Sequence, residues 1–382
     1  VTIVAVLIFL ILLELYLAFC FWRKRLGLSW YGIMRKGVYV FDPSTGYNHR
    51  PHLHLRKNDQ PPPLAPRKRH FQHFITNAEG YVCEEEVEDM ARDSKLVFCL
   101  GGSTTEGAVT PYEAMYPVVL DRLFREQGVR VVNAGVGGYR SVHELRVLES
   151  RILMHRPSAI VLFSGYNDFE NYAVFNFSPA ELDSPFYHNI SFAIPPTRFL
   201  YVLEHSAIVH TIRSMLRKIR DNYIYGEAKC KTWRDLWRKK YQRPLNDLAW
   251  LDIWKSNVLK IAGLCREHGV KLYLLGHMAP VFPGASDEEK ELAETELEML
   301  GRFDFFVHYL ELIREAIREV LEQTDAEFLD VGSEFDAFCR ERFPPESYAR
   351  QRYQYFVDRM HFSRLGNAWL AEAVYGKMKE TL

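Results

Sequence analysis

Apolar residues in this chain follow two patterns. Short apolar runs fall at 97–100 (VFCL), 129–133 (VRVVN), 159–163 (AIVLF), 270–275 (VKLYLL) and 326–331 (AEFLDV). Bounded by turn residues, they predict short strands covered on both faces. Between them, apolar positions recur at helical spacing over about 111–127, 141–155, 247–268, 303–323 and 363–379. Gly128 and Gly269 stop two of these helices. Ser141 with Glu144, and Ser286 with Glu289, give the pattern of a capping box at two helix starts. Strands alternating with helices imply a sheet covered on both faces. The expected fold class is α/β, with a five-stranded parallel sheet.

The N-terminal stretch breaks this alternation. Residues 1–22 are almost wholly apolar, with Glu14 the one charged side chain, and Arg23-Lys24-Arg25 closes the run. That length can cross a bilayer, and no small-residue cleavage site follows. A retained N-terminal transmembrane helix is therefore expected. Residues 23–93 read as a juxtamembrane linker and entry segment, extended at Pro61-Pro62-Pro63 and Pro66. Residues 94–382 form the α/β domain, with an insertion at about 170–246 that is long for such a fold. Within it, Ile212, Met215, Leu216 and Ile219 share one helical face. Positions 213–243 carry eleven Lys/Arg against three Asp/Glu, with Trp233 and Trp237 among them. Such a segment can lie on an anionic membrane. A solvated lid face is favoured, because the charge is not confined to one side.

Composition narrows the chemistry. The 382 residues can bury a large core, and a net charge of −1 gives no argument for nucleic acid. The six cysteines, at 20, 83, 99, 230, 265 and 339, are too scattered for a disulfide framework and form no CxxC pair. Cys99 and Cys265 read as small core residues. His49, His52, His54, His70 and His73 look like metal ligands only superficially. No cysteine or clustered carboxylate completes a site, so they are read as surface histidines and no metal is expected.

Candidate chemistry collects at the strand ends, where ligands bind in an open parallel sheet. The first strand runs into Gly101-Gly102-Ser103. The second ends in Gly135, Gly137 and Gly138, the third in Gly165-Tyr166-Asn167-Asp168, and the fourth in Gly276-His277. Asp358 and His361 follow the fifth. Gly135 could open a dinucleotide fingerprint, but Arg140 stands where its last glycine belongs. Together these residues supply the parts of acyl transfer to a serine. Ser103 Oγ needs a base, and His361 can act near neutral pH. Asp358 can hold the other ring nitrogen. The backbone N–H groups of Ser103 and Gly138, with the Asn167 amide, can converge on an oxyanion. His277 is a possible substrate contact or a plain turn residue.

The motifs GGSTTEG, NAGVGGYRS, GYND and DRMHFSRLGN occur in the order and spacing of the SGNH hydrolases, the GDSL-type esterases. The chain resembles that family from about Lys95 to its last residue, with the insertion unmatched. The four name-giving residues map to Ser103, Gly138, Asn167 and His361. YVFDPSTGYN and TNAEGY resemble the entry segment of membrane-anchored extracytoplasmic members. One departure is Gly102, which replaces the aspartate of the GDS triplet. The G-x-S-x-G of α/β-hydrolases is not met, since Thr105 takes its last position. The resemblance implies a three-layer α/β/α sandwich of SGNH, flavodoxin-like topology, located outside the cytoplasm and needing no metal or organic cofactor. It implies hydrolysis of a small-molecule or glycan ester through an acyl-serine. O-acetyl transfer to a polysaccharide shares that intermediate and stays open. A catalytically silent, membrane-tethered binding module is the other alternative, and an intact Ser, Asp and His argue against it.

Overall fold

The computed structural model describes residues 2–23, 38–56, 73–107, 109–174, 176–186, 208, 211–212, 246–297, 299 and 302–382. The proline-rich stretch at 61–66, His70 and the basic segment 213–243 lie outside them. The chain divides into two units, 1–50 with 190–236 and 51–189 with 237–382.

The first unit holds a helix at Thr2–Arg23 and an antiparallel pair, β1 (Tyr39–Asp42) and β2 (Gly46–His49). Asp42 Oδ1 closes the turn by accepting the N–H of Ser44 at 2.9 Å and of Thr45 at 3.0 Å. His49 is not a surface histidine. It is 1% exposed and stacks on Tyr39 at 5.3 Å, because strand pairing sets the two side by side. Among the described residues no helix is long and apolar enough to cross a membrane. The transmembrane helix expected at 1–22 therefore gains no support from the fold.

The second unit opens with a short antiparallel pair, β3 (His54–Arg56) with β4 (His73–Ile75). Its centre is a parallel sheet of β5 (Lys95–Gly101), β6 (Val129–Asn133), β7 (Ala159–Phe163), β8 (Lys271–Leu275) and β9 (Glu327–Leu329), in the order β6-β5-β7-β8-β9. Val97 lies opposite both Val131 and Ala159. This doubly wound order reverses direction between β5 and β7, and the crevice beyond that point is where such sheets bind ligands. Val97, Cys99, Val131, Val161 and Tyr273 face one layer of core with Leu120, Phe124, Leu370 and Val374 from two helices, Tyr116–Phe124 and Arg364–Met378. On the other face the helices Ser141–Val147 and Ala249–Glu267 meet β5 and β8. Both faces being covered is why the strands read as unbroken apolar runs.

Three expected elements differ. The helix expected at 111–127 is a 3₁₀ turn at Tyr112–Ala114, an α-helix at Tyr116–Phe124 and a second 3₁₀ turn at Arg125–Gln127. Pro117 lacks an N–H and is tolerated only in a first turn, so the α-helix starts there, after an extended Met115. The helix from Ser141 passes through a π turn at Leu148–Ile152 into a 3₁₀ turn at Leu153–His155. The fifth strand stops at Leu329, because Asp330 caps an unforeseen helix, Val331–Arg342, by accepting the Ser333 N–H at 3.1 Å. Within the insertion, Tyr166–Ala173 reaches past its start and Pro179–Leu182 is helical.

One buried amide ties the sheet's outer layer to the C-terminal helix. Asn367 is 2% exposed, and its Oδ1 accepts the Tyr116 N–H at 2.9 Å. Its amide donates to the carbonyls of Phe362 at 3.2 Å and Ser363 at 2.9 Å. Asn367→Leu leaves that N–H unpaired and should destabilise the fold by about 1–3 kcal/mol. The expected readout is a lower urea midpoint at unchanged slope.

Candidate active site

Ser103 is placed by the way β5 ends. Beyond Gly101 the chain turns at Gly102 into one helical turn, Ser103–Glu106, which closes when the Gly107 N–H reaches the Ser103 carbonyl. The segment after β6 is bound to the same strand end. The N–H groups of Ala134 and Val136 donate to the carbonyls of Cys99 at 2.9 Å and Gly101 at 3.0 Å. Glu106, 2% exposed, accepts the Gly137 N–H at 3.0 Å. Gly138 follows at φ +79°, a conformation that strongly favours glycine. The Asn167 amide nitrogen donates to the Tyr139 carbonyl at 2.7 Å, which identifies it as the nitrogen and leaves its second hydrogen for another acceptor. A Cβ on Gly102 would lie 2.4 Å from that nitrogen, so a larger residue there would displace the amide.

Asp358 and His361 come from a tight loop after the last strand. The N–H of Val357 donates to the His361 carbonyl at 2.8 Å, and Phe356 bridges Phe362. Asp358 Oδ1 accepts the N–H groups of Met360 and His361, each at 2.9 Å. Both carboxylate oxygens lie 2.9 Å from His361 Nδ1. A carboxylate only accepts, so Nδ1 carries a hydrogen, and in the neutral ring Nε2 keeps its lone pair. Nε2 lies 2.9 Å from Ser103 Oγ. Asp358 and His361 are 7% and 6% exposed. The structure thus brings Ser103, Asp358 and His361 into one hydrogen-bonded line, with Gly138 and Asn167 beside it. A line of this kind can take a proton from the serine as its oxygen attacks.

The family profile of the GDSL-like lipases/acylhydrolases matches residues 99–369. The chain belongs to this family. It is an ester hydrolase. No curated protein matches it. Among solved structures it is similar to the acetyl xylan esterase AlAXEase, at 14% identity over 74% of this chain and 98% of that one, with a TM-score of 0.41. A catalytic mutant of an acetylxylan esterase from Geobacillus stearothermophilus is 14% identical over 75% and 94%, with a TM-score of 0.41. TesA is 14% identical over 75% and 100%, with a TM-score of 0.39. At such scores these likenesses carry nothing about the chemistry of this acylhydrolase.

Around the line lie residues that sequence patterns did not single out. Arg359 donates to Glu170 Oε1 at 3.0 Å, tying the Asp358–His361 loop to the helix that carries Asn167. Arg140 is not an idle replacement of a glycine. It is 1% exposed and donates to the carbonyls of Glu181 at 3.0 Å, Leu182 at 2.5 Å and Ser184 at 2.8 Å. The expected capping box of Ser141 with Glu144 is absent, because both side chains are used elsewhere. Ser141 Oγ donates to Asp168 Oδ1 at 2.6 Å, and the Arg140 N–H goes instead to His143 Nδ1 at 3.1 Å. Glu144 is 1% exposed and accepts from Ser164 Oγ. His277 Nε2 donates to the Ser164 carbonyl at 2.8 Å, and burial pushes this imidazole down to about 4, so it is neutral near pH 7. Among the described residues no group of three or more His, Cys, Asp or Glu could hold a metal ion.

The acids behind the site make a pH signature. Burial, then the charge of Asp168, holds the Glu144 carboxyl well above the usual range. Burial raises Asp168 to about 6 against the hydrogen bonds of Ser141. The unfolded chain releases the Glu144 proton near the ordinary value of about 4.3. Stability held by the protonated acid is complete below that value and is lost as pH rises toward the raised folded value. Glu144→Gln cannot ionise. Its stability relative to wild type should therefore climb between pH 4 and pH 8, read as a growing difference in urea midpoints.

Proposed function

We propose that this acylhydrolase cleaves carboxylic esters through an acyl enzyme on Ser103. The observation that carries the reading is His361, with Nδ1 2.9 Å from Asp358 Oδ1 and Nε2 2.9 Å from Ser103 Oγ. In the proposed course, Nε2 takes the Ser103 proton while Oγ bonds to the ester carbon. The carbonyl electrons move onto oxygen, which meets the N–H groups of Ser103 and Gly138 and the free hydrogen of the Asn167 amide. Collapse expels the alcohol, which receives the proton from His361. Water then repeats the sequence, with Nε2 as base, and leaves a carboxylic acid and free Ser103. Asp358 keeps the proton on Nδ1 and stabilises the imidazolium. A glycan hydroxyl in place of water would give O-acetyl transfer by the same steps.

The proposal extends to the N-terminus. Residues 1–22 hold the protein on a membrane, with the domain outside the cytoplasm. Supporting this is the stretch 1–22, almost wholly apolar with Glu14 its one charged side chain, which forms most of the helix Thr2–Arg23. Phe9, Ile11, Leu12 and Leu15 on it are all about 60% exposed. Sidedness rests on the likeness of the entry segment to that of membrane-anchored extracytoplasmic members.

Three experiments test these readings. A serine-directed phosphonate should label the protein once, at Ser103. Ser103→Ala and His361→Ala should both abolish labelling, since members of such a unit act together. Asn167→Ala should lower kcat by ~10²–10³ with unchanged folding. Labelling at the wild-type rate in His361→Ala, or at another serine, would falsify the mechanism. For the anchor, the full chain should sediment with membranes and a chain starting at residue 26 should not. Recovery of the intact full chain in the soluble fraction counts against it.

A further inference from the structure

An open cleft of about 420 Å³ lies at the end of the sheet opposite Ser103. Its walls include the starts of three adjacent strands: Lys95 opens β5, Ser158 precedes β7 and Lys271 opens β8. Arg156, His268 and the Thr381–Leu382 end of the chain are also among them. We infer that this cleft binds a phosphate group, gripped by Arg156 with Lys95 and Lys271 beside it. The inference does not depend on the Ser103 reading. β5 alone puts about 20 Å between Lys95 and Gly101, at roughly 3.3 Å per residue.

Arg156 carries the argument. It follows the 3₁₀ turn Leu153–His155, and its N–H donates to the Leu153 carbonyl at 3.1 Å. Its φ is +52°, in the left-handed region where glycine or asparagine commonly ends a helical segment. Pro157 comes next and disfavours a helical conformation at the residue before it. The backbone thus favours glycine at 156, and an arginine is held there under strain. Yet among the described residues no hydrogen bond or ion pair uses its guanidinium. Backbone strain of this kind collects where a side chain is aimed at a ligand.

The other walls match one anion. Lys271 lies opposite Ala159, and Ala159 opposite Val97. Lys95 stands two residues before Val97, so both lysines leave the same face of the sheet. Lys95 donates to the Leu382 main-chain oxygen, and Lys271 Nζ to the Thr381 carbonyl at 2.6 Å. An ammonium has three hydrogens, so each lysine keeps two for a ligand. Among the described residues the Ser158 hydroxyl and the His268 ring form no hydrogen bond, and both can donate. No aspartate or glutamate lines the cleft. Phosphate suits this set, because a guanidinium fork meets two of its oxygens while the lysines act as point charges. Met154, 73% exposed, stands two residues before Arg156. An apolar side chain there fits a lipid phosphate as well as a soluble phosphate ester, so both sources enter the test.

The test titrates the full chain, held in a neutral detergent, with inorganic phosphate. A Kd of about 1 mM or tighter is expected in ~0.15 M NaCl, where exposed charges alone are largely screened. Arg156→Gly should weaken binding by about tenfold or more, as loss of a charge-assisted hydrogen bond does. Without phosphate the same variant should unfold at an equal or higher urea midpoint, since glycine fits that φ. Lost binding is thereby separated from lost folding. Lys95→Gln combined with Lys271→Gln should also weaken binding, while Ser103→Ala should leave it unchanged. No saturable binding, or the wild-type Kd in Arg156→Gly, sinks the site. Binding lost in Ser103→Ala places the phosphate at the catalytic end and overturns the inference. Glycerol 3-phosphate and dihexanoyl phosphatidylglycerol then separate the two sources. Tighter binding of the first assigns a soluble phosphate ester, and tighter binding of the second a lipid headgroup. Either response should vanish in Arg156→Gly.

Discussion

One carboxylate does two tasks in this site, and the local structure depends on it. Asp358 Oδ1 accepts the main-chain N–H groups of Met360 and His361, and the same carboxylate accepts His361 Nδ1. The first pair of bonds folds the loop, while the ring contact orients the imidazole. Taking a carboxylate out of water is costly unless donors replace the lost hydration. Here three N–H groups do so. The loop geometry and the tautomer of His361 are thus set together. A replacement that kept the loop but lost the charge would still disturb the ring, because an amide oxygen holds the same N–H with less force.

The sheet supplies the other half of the site by a different means. Ser103 and Asn167 stand at the ends of β5 and β7, adjacent parallel strands on either side of the reversal in strand order. The segment that carries Gly138 is bound to the end of β5 through Ala134 and Val136. Each group is therefore fixed to a strand end and not to a free loop. Arg359 and Glu170 bind the histidine loop to the Asn167 helix. Their side chains are 14% and 15% exposed, so the pair is partly shielded from water and acts as a positional tie.

Much of this was legible in the sequence, and for a physical reason. A strand covered on both faces must be an apolar run, and a strand end that bends sharply needs glycine. The runs at 97–100, 129–133 and 159–163 and the glycines after them therefore carried both the sheet and the serine. What stayed illegible depends on contacts distant in sequence. Ser141 and Glu144 have the spacing of a capping box, yet Asp168 and Ser164 claim them from other segments. His49 looked like a surface histidine until strand pairing set it beside Tyr39. Asp330 ended a strand that its apolar run would have continued, because a cap competes with the ladder for the same residue. Glu106 had a local signal, an acid just before Gly107 in a strand-end turn, but its acceptor role toward Gly137 is seen only in three dimensions.

The departure from the family triplet has a local cause that the pattern alone does not reveal. At Gly102 even a Cβ would sit 2.4 Å from the Asn167 nitrogen and 3.3 Å from the Tyr139 carbonyl. The amide and that carbonyl are themselves hydrogen-bonded at 2.7 Å, so neither can yield without breaking the bond that aims the amide. A larger residue at 102 would require a different route for Tyr139 or a different rotamer for Asn167. In this chain the choice of glycine and the position of the amide are one constraint. Loss of the triplet's aspartate is therefore coupled, through one close contact, to the amide proposed to meet the oxyanion.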